Sequence, residues 1–128
     1  MNTTHKDIQV KLTKSLLDLI ILQLLEKNPM HGYEILITIQ KNFGVYCGAS
    51  TIYPLLTKLE RKKYLKHAWN MDSDRPKKVY ELTNDGKALL DYTAGSLRSI
   101  VKSIGKDCTH ATVEADNSLE LKLASGLK

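Results

Sequence analysis

Residues Gly48–Thr83 read GASTIYPLLTKLERKKYLKHAWNMDSDRPKKVYELT, and this stretch decides the fold. Its first part carries four apolar residues at helical spacing: Ile52, Leu55, Leu56 and Leu59. This spacing predicts a helix with one buried face. Side chains then alternate with a period of two from Leu65 to Asn70, which predicts a strand. The polar run Met71–Pro76 turns the chain into Lys77–Leu82. A helix followed by a hairpin with a basic tip is typical of the reading part of a winged helix-turn-helix.

Positive charge is concentrated in the same stretch. Residues 51–80 hold eight basic and three acidic side chains, so their net charge of +5 equals that of the whole chain. An excess confined to one segment indicates a site for a polyanion such as DNA. The alternative is that Arg61, Lys62 and Lys63 form a solvated helix end with cations that suit the helix dipole. The return of Arg75, Lys77 and Lys78 across the hairpin favours the polyanion site.

Length and composition exclude several classes of protein. The chain has 128 residues, 42% of them hydrophobic, which is enough for one small domain and an appendage. The longest apolar stretch, Leu16–Leu25, is too short for a membrane span, and the N-terminus has no signal-peptide core. We therefore expect a cytoplasmic protein without a membrane partner.

Chemistry-bearing motifs are also missing. Cys47 and Cys108 suggest no disulfide framework, and the four histidines show no metal-ligand spacing. No phosphate-binding glycine loop, nucleophile elbow or paired carboxylate set occurs. We predict no enzymatic activity, no metal and no cofactor.

The segments around the reading helix predict further helices. Residues 1–11 are expected to be loose, and Leu12–Lys27 to form the first helix, with Thr13 or Ser15 as its cap and a capping box from Ser15 to Asp18. This helix is more apolar than one face requires, so the core covers one side and either a partner subunit or the same chain covers the other. A second helix is predicted from His31 to about Asn42, closed by Gly44.

Caps and turns complete the predicted domain. Ser50 or Thr51 is expected to cap the reading helix, with Pro54 in its first turn. Thr83 is expected to cap a last helix. The predicted fold is therefore mainly α with a small β-hairpin wing (α+β): a winged helix-turn-helix domain over residues 1–83, a C-terminal dimerisation helix over residues 84–105, and an unassigned tail over residues 106–128.

The last helix carries a heptad-like apolar seam. Its candidate dimer-interface residues are Leu90, Thr93, Leu97, Ile100, Val101 and Ile104. A symmetric pair reads two half-sites, which favours a homodimer on a roughly palindromic operator. The alternative is that the seam folds back on its own domain, because Gly95 and Thr93 both weaken a helical zipper.

Candidate DNA-binding residues come from the reading helix and the wing. They are Ser50, Thr51, Tyr53, Thr57, Lys58, Arg61, Lys62, Arg75, Lys77 and Lys78. Lysine and arginine either read guanine edges or hold phosphates, and the sequence does not separate these roles. Tyr53 has packing in the core as its alternative.

Other conspicuous side chains are expected to be structural. His31 is predicted to bond locally at a helix start, and Tyr33 and Tyr80 to pack. Trp69 is predicted to fill the base of the wing, with a stacking platform for an aromatic effector as the alternative.

Three blocks of sequence resemble the PadR family of transcriptional regulators, in its short form with a single C-terminal helix. The blocks are Pro29–Ile35 (PMHGYEI), Thr51–Glu60 (TIYPLLTKLE) and Arg75–Gly86 (RPKKVYELTNDG). The resemblance implies a homodimeric winged-helix protein, commonly a repressor, whose C-terminal helix forms the dimer. It further implies that the helix Thr51–Arg61 enters the major groove and that the hairpin at Arg75 touches the backbone or minor groove.

The sequence departs from the family pattern at two places. Lys63 stands where the family usually has glycine after the reading helix, and Asp72, Ser73 and Asp74 stand where the wing favours glycine. Aspartates near phosphates repel, so we expect the wing tip to contact DNA less than its neighbours do.

Partners follow from these interpretations. We expect double-stranded DNA, a second copy of the chain, and, from the resemblance and the aliphatic last helix, a small apolar or aromatic effector that releases DNA. The alternatives are a protein-interaction module whose basic face docks an acidic protein, and a sensor whose ligand matters more than its operator.

Overall fold

The structure is a computed structural model that describes residues 2–72 and 74–105. In chain order its elements are α1 Asn2–Ser15, α2 Leu17–Lys27, β1 Met30–His31, α3 Gly32–Phe43, α4 Ala49–Arg61, β2 Leu65–Asn70, β3 Lys77–Leu82 and α5 Asn84–Ile104. The chain divides into two compact units, residues 1–91 and residues 92–128. The first holds α1 to β3 and the start of α5. In the second, the described residues form the rest of α5. The mainly α fold with a β-hairpin wing is confirmed.

The core of the first unit is aliphatic. Side chains exposed by less than 2% come from four helices and one strand: Ile21, Leu22, Ile35, Ile39, Ile52, Leu56, Leu65 and Leu90, together with Cys47. They include two members of the α4 stripe. Burial of such side chains is worth about 1.5–3 kcal/mol each. Because the apolar stripe of α4 is buried in this core, the opposite face of α4 is exposed to solvent.

A small antiparallel sheet carries the wing. Its strand order is β1-β3-β2, and β2 pairs with β3 from Leu65 opposite Leu82 to Asn70 opposite Lys77. β2 lies where the period-two pattern predicts a strand, and β3 covers the segment Lys77–Leu82 that was expected to follow the turn. β1 was not predicted, because two residues carry no pattern. Its pairing of Met30 with Tyr80 brings the start of α3 against the wing.

The N-terminal segment is helical, so the expectation of a loose residue 1–11 stretch was wrong. Val10 packs against the core, Thr13 is buried, and the side-chain amide of Gln9 donates to the carbonyl of Phe43 at 3.2 Å. These few anchors leave Ile8 and Leu12 exposed. Because no apolar stripe marks α1, periodicity did not reveal it.

The predicted single helix Leu12–Lys27 is broken at Leu16. The Leu16 N–H bonds to the carbonyls of Leu12 and Thr13, and Leu16 is the N-cap of α2 without a side-chain cap. Ser15 instead donates its hydroxyl to the carbonyl of Leu12 at 2.9 Å. The predicted caps at Thr13 or Ser15 and the predicted capping box were therefore wrong, since Ser15 closes α1 rather than opening α2.

The start of α4 also differs from the prediction. Gly48 is its N-cap, so Ser50 and Thr51 lie inside the first turn. Pro54 consequently falls in the second turn, where it has no N–H to give to the carbonyl of Ser50. A helix start without a side-chain cap left no sequence signal at Gly48.

The link from α4 to α5 is fixed by Lys63 and Thr83. Lys63 has φ 69°, and it is the one non-glycine residue with positive φ among those described. The Thr83 hydroxyl donates to the carbonyl of Lys63 at 2.7 Å and accepts the N–H of Gly86 at 3.0 Å. The prediction that Thr83 caps α5 is confirmed. The backbone is left-handed at the position of Lys63, which favours glycine. This explains why the family pattern has glycine where this chain has Lys63.

An ionic contact ties α5 to α2. The Lys87 ammonium contacts the Glu26 carboxylate and lies 3.0 Å from Asp91.

None of the helices in the described part of the chain is long and apolar enough to cross a membrane. Cys108 and the tail 106–128 lie outside the described residues.

Candidate nucleic-acid interface

The outward face of α4 is polar and basic. Ser50, Thr51, Thr57, Lys58 and Arg61 are all exposed on it, opposite the buried stripe. Lys58 and Arg61 have no ion-pair partner within the described ranges, and neither does Lys62, just past the helix end. Unpaired cations on an exposed helix face are available to a polyanion.

The hydroxyl of Thr57 is partly committed. It donates to the carbonyl of Tyr53 at 3.1 Å, one turn earlier in α4. Its lone pairs and its methyl group remain available to a base edge. A donor role toward a base would require this bond to break.

Tyr53 lies between the helix face and the wing. Its side chain is 40% exposed, so the alternative of a core position was wrong. The ring passes directly over Gly32, where an added Cβ would lie 2.4 Å from Cε1 of Tyr53. Only a residue without a side chain at position 32 allows this placement. The second block and the first block of the sequence meet at this contact.

An open groove of about 450 Å³ runs beside Tyr53. Its lining residues come from the start of α3, from α4 and from β3: His31, Gly32, Tyr33, Tyr53, Lys77, Lys78 and Tyr80. Three phenol rings and two ammonium groups thus surround one surface depression. Exposed phenol hydroxyls can hydrogen-bond to phosphate oxygens, and an exposed ammonium group can neutralise their charge.

The start of α3 is capped by two hydrogen bonds between neighbouring residues. His31 accepts the Glu34 N–H at its Nδ1 at 3.4 Å, and the His31 N–H donates to the Glu34 carboxylate at 3.3 Å. This capping box confirms the prediction that His31 bonds locally at a helix start. Tyr80 is buried, as predicted, whereas Tyr33 is 61% exposed and its structural assignment was wrong.

The two wing lysines differ from each other. Lys77 is exposed and has no ion pair among residues 2–72 and 74–105. Lys78 is half-buried, its ammonium lies 3.4 Å from the Glu60 carboxylate, and it stands 5.4 Å above the centre of the Tyr80 ring. Partial burial disfavours its charge, but Tyr80 and Glu60 outweigh that effect and raise the pKa of Lys78. Of the two, Lys77 is the more available to a ligand.

Two aspartates lie near the tip of the wing. Asp72 and Asp74 are exposed, and the Asp72 N–H donates to the side chain of Asn70 at 2.9 Å. Arg75 is exposed beside them, while Ser73 lies outside the described residues. Trp69 is 57% exposed, so the prediction that it fills the base of the wing was wrong. Its aromatic neighbour is the His67 ring, in a T-shaped arrangement with 6.0 Å between the ring centres.

Sequence reasoning missed several residues of this surface. Tyr46, in the turn before α4, is 77% exposed and lies against Gly48. Glu60 and His67 contact each other between α4 and β2. Glu60 is the one acidic residue of α4, beside the cations Lys58 and Arg61, which could have drawn attention to it. Its partners His67 and Lys78 lie later in the sequence, so the contacts themselves were not predictable.

The predicted dimer seam divides between the two units. Leu90 is 1% exposed in the core of the first unit, so its side chain is not available to a partner and it leaves the predicted interface. In the second unit, Thr93 and Leu97 are half-buried, and Ile100, Val101 and Ile104 are exposed. The apolar surface available for an interface is therefore the part of the seam after Leu90.

A family model, the transcriptional regulator PadR-like family, matches residues 21–92, which is more than half of the chain. The chain belongs to the PadR-like family of transcriptional regulators. This confirms the resemblance carried by the three sequence blocks, and these proteins are regulators of transcription rather than enzymes.

Solved structures of PadR proteins resemble the chain closely. A PadR family transcription regulator from hypervirulent Clostridium difficile is 30% identical, with 71% of this chain and 96% of that chain covered and a TM-score of 0.66. A PadR-like transcription factor from Bacteroides fragilis is 26% identical, with 78% and 97% covered and a TM-score of 0.66. A PadR family regulator from Eggerthella lenta, 24% identical with 82% and 92% covered and a TM-score of 0.73, supports the fold alone. No curated protein matches the chain.

Within this PadR-like protein, the exposed cations and the groove lie in the part that the family model matches. Among residues 2–72 and 74–105, no group of three or more histidine, cysteine or acidic side chains is placed to hold a metal ion. The chemistry that the surface offers is ionic, hydrogen-bonding and aromatic contact with a polyanion.

Proposed function

We propose that this DNA-binding transcriptional regulator reads a specific duplex sequence with α4 in the major groove. The carrying observation is the exposed face of α4, where Lys58 and Arg61 lie without ion-pair partners in the described part of the chain. Ser50, Thr51 and Tyr53 extend that face toward the helix start. An α-helix fits the major groove, and lysine or arginine there reads guanine edges or holds phosphates.

The wing and the groove would supply backbone contacts. Lys77, Arg75 and Lys62 are exposed on the wing and just past the end of α4, and we infer that they contact phosphates of the bound duplex. The hydroxyls of the exposed Tyr33 and Tyr53 would add hydrogen-bond donors suited to phosphate. These contacts fix register rather than sequence.

Selection of bound fragments from the source genome tests the proposal. A specific regulator enriches one sequence, and its location identifies the neighbouring genes. Repression is the expected sign of regulation, because a protein bound over a promoter blocks access to it. Recovery of no enriched sequence, together with tight binding to an acidic protein, would support the interaction module instead.

We also propose a homodimer held by the part of α5 after Leu90, on a roughly palindromic operator. Ile100, Val101 and Ile104 lie exposed on the described part of the second unit, and an apolar partner would cover them. Two reading helices would then address half-sites about 34–36 Å apart. Leu97→Glu combined with Ile100→Glu places like charges at the seam, and should split the dimer in sedimentation and weaken full-operator binding. A wild-type monomer at micromolar concentration would contradict the dimer.

A small apolar or aromatic effector that releases DNA remains part of the proposal, on the strength of the family and the aliphatic seam. Such a ligand must bind the free and DNA-bound forms unequally. The exposed Trp69 provides a fluorescence signal for screening phenolic and cationic aromatic compounds. Because the proposed partner is chromosomal DNA, we place the protein in the cytoplasm.

A further inference from the structure

Glu60 joins the reading helix to both strands of the wing. It is the penultimate residue of α4, and its carboxylate uses one oxygen for each strand. Oε2 contacts Nδ1 of His67 on β2, and Oε1 lies 3.4 Å from Nζ of Lys78 on β3. The Glu60 side chain is 25% exposed. A single side chain therefore links α4 to both strands of the hairpin.

The neighbours of Glu60 form one continuous cluster. His67 packs edge-on against Trp69 and Tyr80, at 6.0 and 6.5 Å between ring centres, and Lys78 lies over the Tyr80 ring. Partial burial disfavours ionisation of Glu60, but the His67 hydrogen bond and the Lys78 charge outweigh it, so the pKa of Glu60 lies below its ordinary value. The carboxylate is thus ionised and paired rather than exposed to repel DNA.

The sequence analysis predicted that Lys78 binds DNA, but in the structure this cluster already engages its ammonium group. Lys78 is held by Glu60 and by Tyr80, whereas Lys77, Lys58 and Arg61 have no ion pair in the described ranges. A phosphate that recruited Lys78 would have to break its contacts with the Glu60 carboxylate and the Tyr80 ring. Lys78 is therefore poorly placed to act as a phosphate ligand.

We propose that Glu60 and Lys78 are positioning residues that fix the wing against the reading helix, and that Lys78 does not itself contact DNA. The proposal rests on the proposed function, because it assigns roles within DNA binding.

The proposal predicts a change in operator affinity opposite in sign to the one that electrostatics alone would give. Removing an acidic charge beside a DNA-binding surface ordinarily tightens binding by electrostatics. Removing this one should weaken specific binding, because the wing is no longer held at the angle that the operator requires.

Glu60→Gln is the principal variant, and Glu81→Gln is its matched control. Glu81 pairs with Lys66 across the same hairpin at 3.8 Å, on the strand face opposite Lys78. Both changes remove one acidic charge from the hairpin region, but only Glu60 links it to α4. We expect Glu60→Gln to weaken operator affinity roughly fivefold to tenfold, which lies within the range of coupling between neighbouring groups. Affinity for unrelated DNA should stay level or rise in both variants.

Lys78→Met gives a second, independent readout. A positioning lysine changes operator affinity without changing the slope of log affinity against log salt, whereas a phosphate ligand reduces that slope by about 1. The double variant with Glu60→Gln should bind no more weakly than the weaker single variant, because both break the same link. Melting curves establish that each variant is folded, and Lys78→Met decides the matter if Glu60→Gln does not fold.

The outcomes separate the two proposals. A wild-type protein that selects no sequence overturns the proposed function, and this inference with it. Specific wild-type binding that Glu60→Gln leaves unchanged or tightens as Glu81→Gln does, or a reduced salt slope in Lys78→Met, overturns the inference alone.

Discussion

The ring of Tyr53 lies on the backbone of Gly32, so that a Cβ at residue 32 would come within 2.4 Å of Tyr53 Cε1. This contact places the start of α3 beside the reading helix and leaves Tyr53 on the wall of the groove. A glycine at the first position of α3 is thus explained by space for a tyrosine from another helix. It connects two separate sequence blocks, Pro29–Ile35 and Thr51–Glu60.

Gly32→Ala should therefore reduce DNA affinity through Tyr53. The half-exposed ring can swing away, so we expect the free energy of unfolding to fall by only about 1 kcal/mol, at the low end for overpacking. Operator affinity and a urea titration measure the two effects. In a Tyr53→Ala background the same change should have no further effect on affinity. An equal loss in both backgrounds would show that Gly32 acts independently of Tyr53.

Lys63→Gly should stabilise the protein. Lys63 has φ 69°, a conformation that costs a residue with a side chain roughly 1–2 kcal/mol, while glycine adopts it freely at some cost in chain entropy. We expect a net gain of roughly 0.5–1 kcal/mol, seen as a higher urea midpoint at unchanged slope. Lys63→Ala removes the same charge but keeps a Cβ, so it should leave stability near that of the wild type. Equal gains from glycine and alanine would contradict the backbone explanation.

Two glycines of α5 provide a contrast within one helix. A Cβ at Gly86 would lie 2.2 Å from the carbonyl oxygen of Tyr64, whereas one at Gly95 would meet nothing within 4 Å. Because the first obstacle is backbone, Gly86→Ala should destabilise by roughly 2–3 kcal/mol or more. Gly95→Ala should stabilise by up to about 1 kcal/mol through helix propensity. Thermal melting of the two variants measures both, and a stable Gly86→Ala protein would show that the link from α4 to α5 yields easily.

Acid should weaken the contact between α4 and the wing. The pKa of Glu60 in the folded protein lies below its ordinary value of 4.5, because its interactions with His67 and Lys78 outweigh partial burial. Because the pKa is lower in the folded protein, the stabilisation is fully present at pH above the pKa of the unfolded chain. It disappears as the pH falls through the pKa of the folded protein. The difference in unfolding free energy between wild type and Glu60→Gln at about pH 5 should therefore shrink at lower pH. A difference that stays constant down to about pH 2 would contradict this contribution.

The sequence predicted the elements that carry local periodicity or local caps. The alternation around His67 and the stripe through Ile52 set the hairpin and α4, and Thr83 marked the start of α5. It did not predict α1, whose few anchors include Val10 and no stripe, or the break at Leu16, which no proline or glycine marks.

The candidate site was predictable in its residue types but not in its pairings. Charge counting singles out Lys58, Lys77 and Lys78 equally, and only the folded chain shows that Lys78 is paired with Glu60. Exposure of Tyr33 and Trp69 likewise depends on tertiary packing, which an aromatic residue in a sequence does not reveal. The DNA-contacting set itself stays a prediction.

The most direct test is the salt dependence of affinity for the selected DNA, compared between wild type, Lys58→Ala, Arg61→Ala and Lys14→Ala. Lys14 is exposed on α1, outside the basic segment, so its variant controls for loss of one charge. We predict that wild-type affinity falls steeply between about 50 and 200 mM salt, and that each α4 variant either lowers the slope by about 1 or relaxes one base position. Lys14→Ala should change neither. Affinity that is insensitive to salt, or α4 variants that behave like Lys14→Ala, would contradict DNA binding through this face.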